Sequence, residues 1–201
     1  DMDSIKHLNA GSDSLPELGE GQILTPVIVG TGKSGTTMTI GVLRRLGLMI
    51  GNRIDAAGED RDINLLFTEL WPPTRLWRIV FLRRKFGELI ASKQQQYPRW
   101  GFKSPYITPF LWLLKSKIAN PVFIIMTRNT FSTSLSYEKS GKFGWSWRRW
   151  YLHIGVLNLL LSVFAVRAKK PVLIASYETA ISDPEHFVDH LVAATNLKPT
   201  T

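Results

Sequence analysis

The chain contains no cysteine among its 201 residues. Disulfide bonds and thiolate metal sites are therefore excluded, and the lack of disulfides is compatible with a reducing compartment. Histidine is also scarce, and among the four histidines only His186 and His190 have the spacing of a zinc-binding pair. Because no third ligand lies near that pair in the sequence, we expect a surface helix there and no metal site.

The start of the chain lacks the features of a secretion signal. Residues 1–22 have no basic start and no apolar stretch long enough for a signal peptide. They are polar, with scattered glycine, serine and proline, which predicts a loose arm ahead of one domain at residues 23–201. We therefore expect a cytoplasmic location.

Acidic residues are few in comparison with basic ones. The chain has 16 Asp and Glu against 25 Lys and Arg, for a net charge of +9. This charge favours anionic ligands, and a multiply phosphorylated nucleotide, RNA or an anionic membrane surface would each suit it. A hydrophobic content of 44% with seven tryptophans excludes a disordered chain, and the length suffices for one domain with a sizeable core.

Apolar runs alternate with helical patterns along the chain. Strand patterns lie at Pro26–Val29, Arg99–Lys103, Val122–Arg128 and from Pro171 onward. Helical patterns lie at Thr36–Leu46, Asn64–Leu70, Leu76–Gln96, Thr108–Ile118, Trp150–Val166 and after a cap at Ser182 or Asp183. This alternation predicts a single α/β domain in which helices flank a central parallel sheet.

The segment Thr25–Thr37 carries the strongest functional signal. An apolar strand runs into a loop with three glycines and one lysine, and a helix follows. The N–H groups of such a loop and of the first helical turn have no intrahelical partner, so they converge on an anion. Glycine lets the backbone approach a phosphate closely, and Lys33 adds a full positive charge. The candidate contacts of this P-loop-like element are Gly32, Lys33, Ser34, Gly35, Thr36 and Thr37.

The spacing of this loop bears on the class of phosphate-binding protein. A Walker A loop needs a glycine five positions before its Gly-Lys pair, and Val27 occupies that position here. The sequence also has no obvious strand that ends in the aspartate of a Walker B element. A P-loop kinase is therefore an alternative enzyme hypothesis and not the favoured one. A non-catalytic protein that binds nucleic acid or a membrane surface is the hypothesis from another class.

The same loop resembles a motif of a known enzyme family. Lys33–Thr37 matches five of the six letters of the 5′-phosphosulfate loop of the sulfotransferases that use 3′-phosphoadenosine 5′-phosphosulfate (PAPS), and Gly32 replaces the family's proline. In that family the loop follows a strand, as it does here. The resemblance implies that these residues hold the 5′-phosphate end of PAPS.

A second segment strengthens the resemblance. Val122–Arg128 is an apolar run that ends in arginine, and Ser136 follows eight positions later. The family's 3′-phosphate motif has this form, with a proline where Thr130 stands here. Arginine suits this role because its planar fork binds phosphate oxygens bidentately. Tyr177, after the last apolar run, falls where the family has a tyrosine near the nucleotide.

The resemblance also implies a reaction. A sulfuryl group would pass from PAPS to a hydroxyl or amine of a small-molecule, carbohydrate or peptide acceptor, with 3′-phosphoadenosine 5′-phosphate (PAP) as product and neither a metal nor a nucleic acid as partner. Lys33 would neutralise the leaving phosphate oxygens. Lys103 matches the lysine of a Lys-Thr-His segment in the cytosolic branch of the family. That branch uses the histidine as its base, whereas this chain has Pro105 at that position.

A carboxylate is the natural substitute for the missing histidine. In the heparan-type branch of the family a glutamate lies after the first helix, and the predicted loop Gly47–Ile63 carries Glu59 and Asp60 in the comparable region. The resemblance therefore places the chain closer to the carboxylate-base branch, with Glu59 as the first candidate base and Asp60 as the second. A solvated acidic turn that caps the next helix would explain the same residues.

One long apolar segment raises the question of a membrane helix. Trp150–Val166 is apolar over 17 residues and is bracketed by basic residues. That length is at the lower edge of a membrane span, and the segment contains His153 and Asn158. We therefore expect a helix packed on the sheet, with peripheral membrane contact left open.

Overall fold

The computed structural model describes residues 24–69 and 76–197, so the arm predicted at residues 1–22 lies outside the described part of the chain. The strands are β1 (Thr25–Gly30), β2 (Phe102–Lys103), β3 (Pro121–Thr127) and β4 (Val172–Ser176). The α-helices are α1 (Thr36–Arg45), α2 (Arg61–Glu69), α3 (Leu76–Gln96), α4 (Leu111–Leu114), α5 (Thr130–Lys139), α6 (Trp147–Arg167), α7 (Tyr177–Ser182) and α8 (Pro184–Thr195).

The four strands form one parallel sheet in the order β2-β1-β3-β4. In the register of the sheet, Val27 of β1 lies between Phe102 of β2 and Phe123 of β3. The strands are nearly continuous apolar runs because a parallel sheet is covered by helices on both faces. The predicted α/β domain with a central parallel sheet and flanking helices is confirmed.

Each face of the sheet has its own hydrophobic cluster, because successive strand residues point to opposite sides. On one face Phe123 packs against Phe164 of α6, with ring centroids 4.8 Å apart, and Phe86 of α3 joins the same cluster. On the other face Ile124 packs with Ile40 of α1 and residues of α8. Each fully buried large side chain stabilises the fold by about 1.5–3 kcal/mol.

All four strands end at the same edge of the sheet because they are parallel. The residues that follow β1, β3 and β4 are the 31–35 loop, Arg128 and Tyr177, and β2 ends with Lys103 itself. Ligands of open α/β sheets bind beyond the carboxyl ends of the strands. The fold therefore gathers at one edge residues that lie far apart in the sequence.

The prediction of one continuous helix at Thr108–Ile118 is wrong. A 3₁₀ helix covers Pro105–Phe110, α4 follows it, and a second 3₁₀ turn covers Lys115–Lys117. Pro109 lies inside the first of these elements. Proline lacks an N–H and its ring clashes with a preceding helical turn, so the helical segment that starts at Pro105 cannot run through Pro109 as an α-helix, and α4 begins only at Leu111.

Two further boundaries differ from the prediction. The predicted loop Gly47–Ile63 ends early, because α2 already begins at Arg61. The predicted strand Arg99–Lys103 is reduced to its last two residues, while Trp100 makes only an isolated bridge to Met49. Neither difference changes the edge at which Lys103 lies.

Helix α6 packs on the sheet, as the sequence predicts. Its inner face buries Trp150, Ile154 and Phe164 in the core. Within residues 24–69 and 76–197, α6 is the single helix that is long and apolar enough to cross a membrane by length and composition. Its inner face belongs to the core of the domain, whereas its opposite face is exposed.

Candidate active site

The loop between β1 and α1 has the backbone of an anion-binding turn. Lys33 has a φ of 63°, a left-handed conformation that is uncommon outside glycine, and its side chain is exposed. Gly35 has a φ of 96° and immediately precedes the first residue of α1. The N–H groups of the first turn of α1 have no intrahelical acceptor, and the positive end of the helix dipole lies there. The loop is therefore built to receive a negatively charged group.

Residues that follow β3 and β4 pack onto this loop. A Cβ atom on Gly35 would lie 2.7 Å from Cδ2 of Tyr177, so glycine is required for the ring to pack there. The guanidinium of Arg128 stacks on the same ring, with its carbon 4.5 Å from the ring centroid. Arg128 Nη1 also donates a hydrogen bond to the carbonyl oxygen of Lys33 at 3.0 Å. Three segments predicted to contact the nucleotide thus meet in the structure.

Glu178 fixes the start of α5 relative to α7. Its carboxylate accepts hydrogen bonds from the backbone N–H of Asn129 at 3.0 Å and from Ser176 Oγ at 2.9 Å. Burial raises the pKa of Glu178, but the backbone hydrogen bonds, the Ser176 hydroxyl and the charge of Arg128 together bring it below its ordinary value. The ionised carboxylate therefore holds together the ends of β3 and β4 that present Arg128 and Tyr177.

Ser136 lies half-buried on α5, and its neighbour Tyr137 reaches the loop. A Cβ atom on Gly32 would overlap the Tyr137 hydroxyl, so no residue with a side chain fits at position 32 without displacing that ring. The ring of Tyr137 is stacked on Trp150, with centroids 4.1 Å apart. This contact gives a physical reason why glycine stands where the resembling motif has proline.

Charged groups of the loop at residues 47–60 influence Tyr137. This loop carries Asp55, Glu59 and Asp60, and we call it the acidic loop. Burial, together with the smaller effects of Tyr106 and Glu59, raises the pKa of Tyr137 to about 12. The pKa of Tyr106 is also raised, by burial first and then by the charges of Glu59 and Asp55. Both phenols therefore stay protonated near neutral pH and offer hydrogen-bond donors on the side of the site that faces Glu59.

Lys103 links the start of α1 with the acidic loop. The loop at residues 31–35, directly before α1, is called the phosphate loop. Its side chain is buried, and Nζ donates to Thr37 Oγ1 at 2.9 Å and to the carbonyl oxygen of Ala57 at 2.8 Å. The same ammonium lies 3.1 Å from Glu59 Oε1. Because a buried ammonium needs compensating partners, Lys103 holds these groups in fixed positions around itself.

Glu59 is held on its other oxygen as well. Asn64 Nδ2 donates to Glu59 Oε2 at 2.6 Å, and Ser104 Oγ donates to Asn64 Oδ1 at 3.2 Å. The side chain of Glu59 is 12% exposed. Each carboxylate oxygen retains a further lone pair, so Glu59 is oriented by its partners and can still accept a proton.

Asp60, the second candidate base, has a different environment. It is fully buried, and its Oδ1 accepts hydrogen bonds from the N–H groups of Asp62 and Ile63 at the start of α2. Its Oδ2 lies 2.9 Å from Lys93 Nζ, which also contacts Asp62. Asp60 therefore caps a helix and pairs with a buried lysine, and this placement favours Glu59 as the base.

The donor set at this edge fits the anionic end of a sulfated nucleotide. Lys33, Lys103 and Arg128 bring three positive charges to the loop, and the first turn of α1 adds backbone N–H groups. Ser34 Oγ is buried with no hydrogen-bond partner among the described residues. A buried hydroxyl without a partner is costly, and a ligand on the loop is one way to satisfy it.

Sequence reasoning missed several residues of this site. Asn64 donates a hydrogen bond to Glu59, and Ser104 donates one to Asn64. Tyr106 is influenced by the charge of Glu59, and Tyr137 packs against Gly32. Tyr106 directly follows Pro105 and Tyr137 directly follows Ser136, so position next to a motif residue was the available signal. Asn64 lies five residues after Glu59 and gives no such signal, because their contact depends on the turn between them.

Polar groups elsewhere in the described part of the chain do not form a second site of this kind. In the described ranges, no three residues among His, Cys, Asp and Glu are grouped so that they could hold a metal ion. His186 and His190 approach each other on α8 at 2.8 Å between their Nε2 atoms. A separate cavity between α3 and the segment Trp112–Lys117 includes no residue of the phosphate loop. The expectation of a metal-free site stays a prediction.

Comparison with known proteins adds one finding. No family model and no curated protein sequence matches this chain. Among solved structures, the sulfotransferase domain of the olefin synthase from Synechococcus PCC 7002 is similar, with a TM-score of 0.59. The two chains are 12% identical, and the match covers 90% of this chain and 76% of that domain. At this identity the likeness shows the fold, which is that of a single α/β domain of sulfotransferase-like architecture.

Proposed function

We propose that the chain is a sulfotransferase that transfers a sulfuryl group from PAPS to a hydroxyl or amine of its acceptor. The sulfotransferase-like fold supports the reaction class. The observation that carries the proposal is the position of Lys103, whose ammonium joins the first turn of α1 to Glu59 through Thr37. One buried ammonium group therefore contacts both the helix that follows the phosphate loop and the carboxylate of Glu59.

The nucleotide side of the site is assigned to the three converging motifs. The phosphate loop, including Lys33, and the start of α1 bind the 5′-phosphate end. Arg128 and Ser136 bind the 3′-phosphate. Tyr177 supports Arg128 by stacking on its guanidinium. Two separate anion subsites distinguish a nucleotide with both 5′ and 3′ phosphates from ordinary adenine nucleotides.

The acceptor side is assigned to the acidic loop. When bound, PAPS supplies a sulfuryl group attached to a phosphate leaving group. Glu59 takes the proton of the acceptor hydroxyl as the new oxygen–sulfur bond forms, while Lys33 and Lys103 stabilise the negative charge that develops on the leaving phosphate oxygens. Positioning in line and charge stabilisation account for most of the catalysis of such transfers.

We propose that the chain follows the carboxylate-base branch of the family. Pro105 opens a 3₁₀ helix at the position of the cytosolic branch's histidine, and proline cannot act as a base. Glu59 lies beside the lysine of the same segment, 3.1 Å from Lys103 Nζ. The carboxylate therefore takes the place of the imidazole next to the reacting groups.

The decisive test is nucleotide selectivity measured by calorimetry. We expect PAP to bind at least tenfold more tightly than ADP, about 1.4 kcal/mol, because only PAP offers a 3′-phosphate to Arg128. Arg128→Ala should remove most of that difference. Arg167→Ala, which removes the same charge at the far end of α6, serves as the matched control and should keep the selectivity. Equal affinity of the unmodified chain for PAP and ADP would contradict the assignment, and Mg²⁺-dependent ATP turnover would favour a kinase.

A further inference from the structure

Helix α6 carries apolar residues on two opposite faces. The inner face packs in the core, and its apolar members Trp150, Ile154, Leu161 and Phe164 are at most 3% exposed. The outer face consists of six aliphatic residues that are each 38–70% exposed: Leu152, Val156, Leu159, Leu160, Val163 and Val166. We refer to these six residues as the outer stripe.

The outer stripe is continuous along the helix. Leu152, Val156, Leu159, Val163 and Val166 follow one another at the three- and four-residue spacings that place side chains on one helix face, and Leu160 lies beside them, four residues after Val156. From Leu152 to Val166 the stripe extends for about 21 Å at 1.5 Å per residue. Single exposed aliphatic residues are normal on a protein surface, but a contiguous row of this length indicates an interaction surface.

Positive charge lies at both ends of the stripe. Arg148 and Arg149 precede it, whereas Arg167, Lys169 and Lys170 follow it. No acidic residue occurs between Trp147 and Lys170. Phe143 and Trp145 lie just ahead of the first arginine pair and are 71% and 37% exposed. Aromatic and basic residues around an aliphatic face are the composition of a helix that lies in a membrane interface.

We propose that the outer stripe of α6 docks on an anionic lipid membrane, with the helix axis parallel to the membrane surface. The apolar row enters the boundary of the acyl chains while the flanking arginines and lysines contact anionic headgroups. The helix does not span the bilayer, because its inner face is held in the core by contacts such as the Phe123–Phe164 ring pair.

The charges also argue against a second copy of the chain as the occupant. In a symmetric pair the two stripes would face each other, and either orientation would bring one basic end against another basic end. Like charges in such contacts are destabilising. An anionic membrane meets both ends with opposite charge, so it satisfies the whole surface.

The inner face of α6, opposite the outer stripe, connects with the candidate site. Trp150, in the first turn of α6, stacks on Tyr137, and Tyr137 packs against Gly32 of the phosphate loop. The proposal does not depend on the chemistry of that site, since it concerns only the outer face of the helix.

Vesicle sedimentation tests the proposal. We expect binding to vesicles of phosphatidylcholine with phosphatidylserine, weak binding to phosphatidylcholine alone, and loss of binding as salt is raised. The triple variant Val156→Ser/Leu159→Ser/Val163→Ser should reduce the partition coefficient at least tenfold. Val80→Ser and Ile181→Ser change similarly exposed residues on other helices and should leave it unchanged. Equal binding of the stripe variant and these controls would overturn the proposal.

A labelling experiment keeps the proposal testable if the triple variant fails to fold. The chain has no cysteine, so Leu159→Cys and Ile181→Cys each provide one site for an environment-sensitive fluorophore. We expect a blue shift at position 159, and none at 181, when anionic vesicles are added. No shift at 159 would overturn the proposal. A label at 159 that is already shielded before vesicles are added would also overturn it, because the chain itself or a second copy would then cover the stripe.

Discussion

The two halves of the candidate site are built in different ways. The half that we assign to the nucleotide, called the nucleotide half, consists of the phosphate loop with the start of α1, Arg128 and Tyr177. It relies on backbone geometry and on residues within short motifs. The acceptor half consists of Glu59, Lys103 and their partners, and it relies on side-chain contacts between elements that are distant in the sequence. The first half is exposed at Lys33, whereas the second is largely buried.

This difference suggests a division of labour. A backbone cradle binds any group of suitable charge and size, whereas a buried network holds its members in one arrangement. Lys103 belongs to both halves because its ammonium contacts Thr37 on one side and Glu59 on the other. Substitutions in the two halves should therefore separate binding from turnover.

The largest effect is expected at Glu59. Glu59→Gln keeps an oxygen that can accept from Lys103 but removes the proton acceptor, so turnover per folded molecule should fall by ~10²–10⁴ while PAP binding is kept. It also removes the charge that pairs with the buried Lys103, so we expect a loss of stability similar to that of Asp60→Asn, and only the loss of turnover separates the two variants. Steady-state kinetics on the acceptor together with PAP calorimetry measure the two parts. If Glu59 merely positioned Lys103, the glutamine variant would retain most of the activity.

Asp60→Asn is the matched control for that variant. Asparagine can still cap α2, but it loses the charge that pairs with Lys93. We expect a loss of about 1.5–3 kcal/mol in the free energy of unfolding, with turnover per folded molecule preserved. Urea titration and kinetics would show the opposite pattern if Asp60 were the base.

The second largest effect is expected at Lys33, in the nucleotide half. If its ammonium stabilises charge mainly in the transition state, Lys33→Ala should lower turnover by ~10²–10³ and weaken PAP binding much less. Alanine keeps the same backbone restrictions as lysine at a φ of 63°, so the loop should be retained. Lys33→Arg should not restore the rate fully, because a planar fork differs in shape from a compact ammonium. Weak binding with near-normal turnover at saturation would reduce Lys33 to a binding residue.

The nucleotide half was largely predictable from sequence for a physical reason. Its glycine, lysine and hydroxyl residues act through local backbone geometry, so the residues that make the site are neighbours in the chain. The parallel sheet was predictable for a similar reason, since buried strands are short apolar runs. Arg128 was singled out as a candidate because it ends such a run and matches the resembling motif, and its role stays a prediction.

The acceptor half was predictable only in outline. Glu59 and Asp60 are adjacent and chemically alike, and no local pattern shows that one meets Lys103 while the other meets Lys93. The contact between Gly32 and Tyr137 joins residues more than 100 positions apart. Tertiary packing decides these contacts, so they became visible only in the structure.

That long-range contact gives the third prediction, with an intermediate effect. A Cβ atom at Gly32 would overlap the Tyr137 hydroxyl, and the ring cannot move freely because it is stacked on Trp150. Gly32→Ala should therefore destabilise the fold by about 1–3 kcal/mol in urea unfolding. Adding Tyr137→Phe removes the overlapping oxygen and leaves the ring carbon 3.0 Å from the new Cβ, so part of the loss should return.

A second glycine provides the control for this double-mutant cycle. Gly41 lies in α1 with nothing within 4 Å of an added Cβ, so Gly41→Ala should be neutral or stabilise the helix by up to about 1 kcal/mol. Additive effects of Gly32→Ala and Tyr137→Phe would show that the two residues do not contact each other in solution.

The smallest effect is a difference in how pH affects the stability of the two halves. In the nucleotide half, the pKa of Glu178 lies below its ordinary value of 4.5, because hydrogen bonds and Arg128 outweigh the effect of burial. Its contribution is therefore fully present above pH 4.5 and is lost as pH falls through the lowered pKa. Next to the acceptor half, where Lys93 pairs with Asp60 and Asp62, burial lowers the pKa of Lys93, but hydrogen bonds and charge interactions with Asp62 and Asp60 raise it above its ordinary value of 10.5. That contribution is fully present below pH 10.5 and is lost as pH rises through the raised pKa.

In acid the fold should therefore lose the stability that Glu178 contributes beside the nucleotide half. In alkali it should lose the stability that Lys93 contributes beside the acceptor half. Because Glu178 is exposed, solvent screening should keep its share below about 1 kcal/mol. Urea unfolding at a series of pH values measures both limbs, and Glu178→Gln should flatten the acid limb while it leaves the alkaline limb unchanged. Lys93→Met should do the reverse, on top of a general loss of stability from leaving Asp60 without its buried partner. If Glu178→Gln left the acid limb as steep as before, the carboxylate would not be what holds the ends of β3 and β4 together. The orientation of Arg128 would then rest on its stacking against Tyr177 and on its hydrogen bond to the carbonyl oxygen of Lys33.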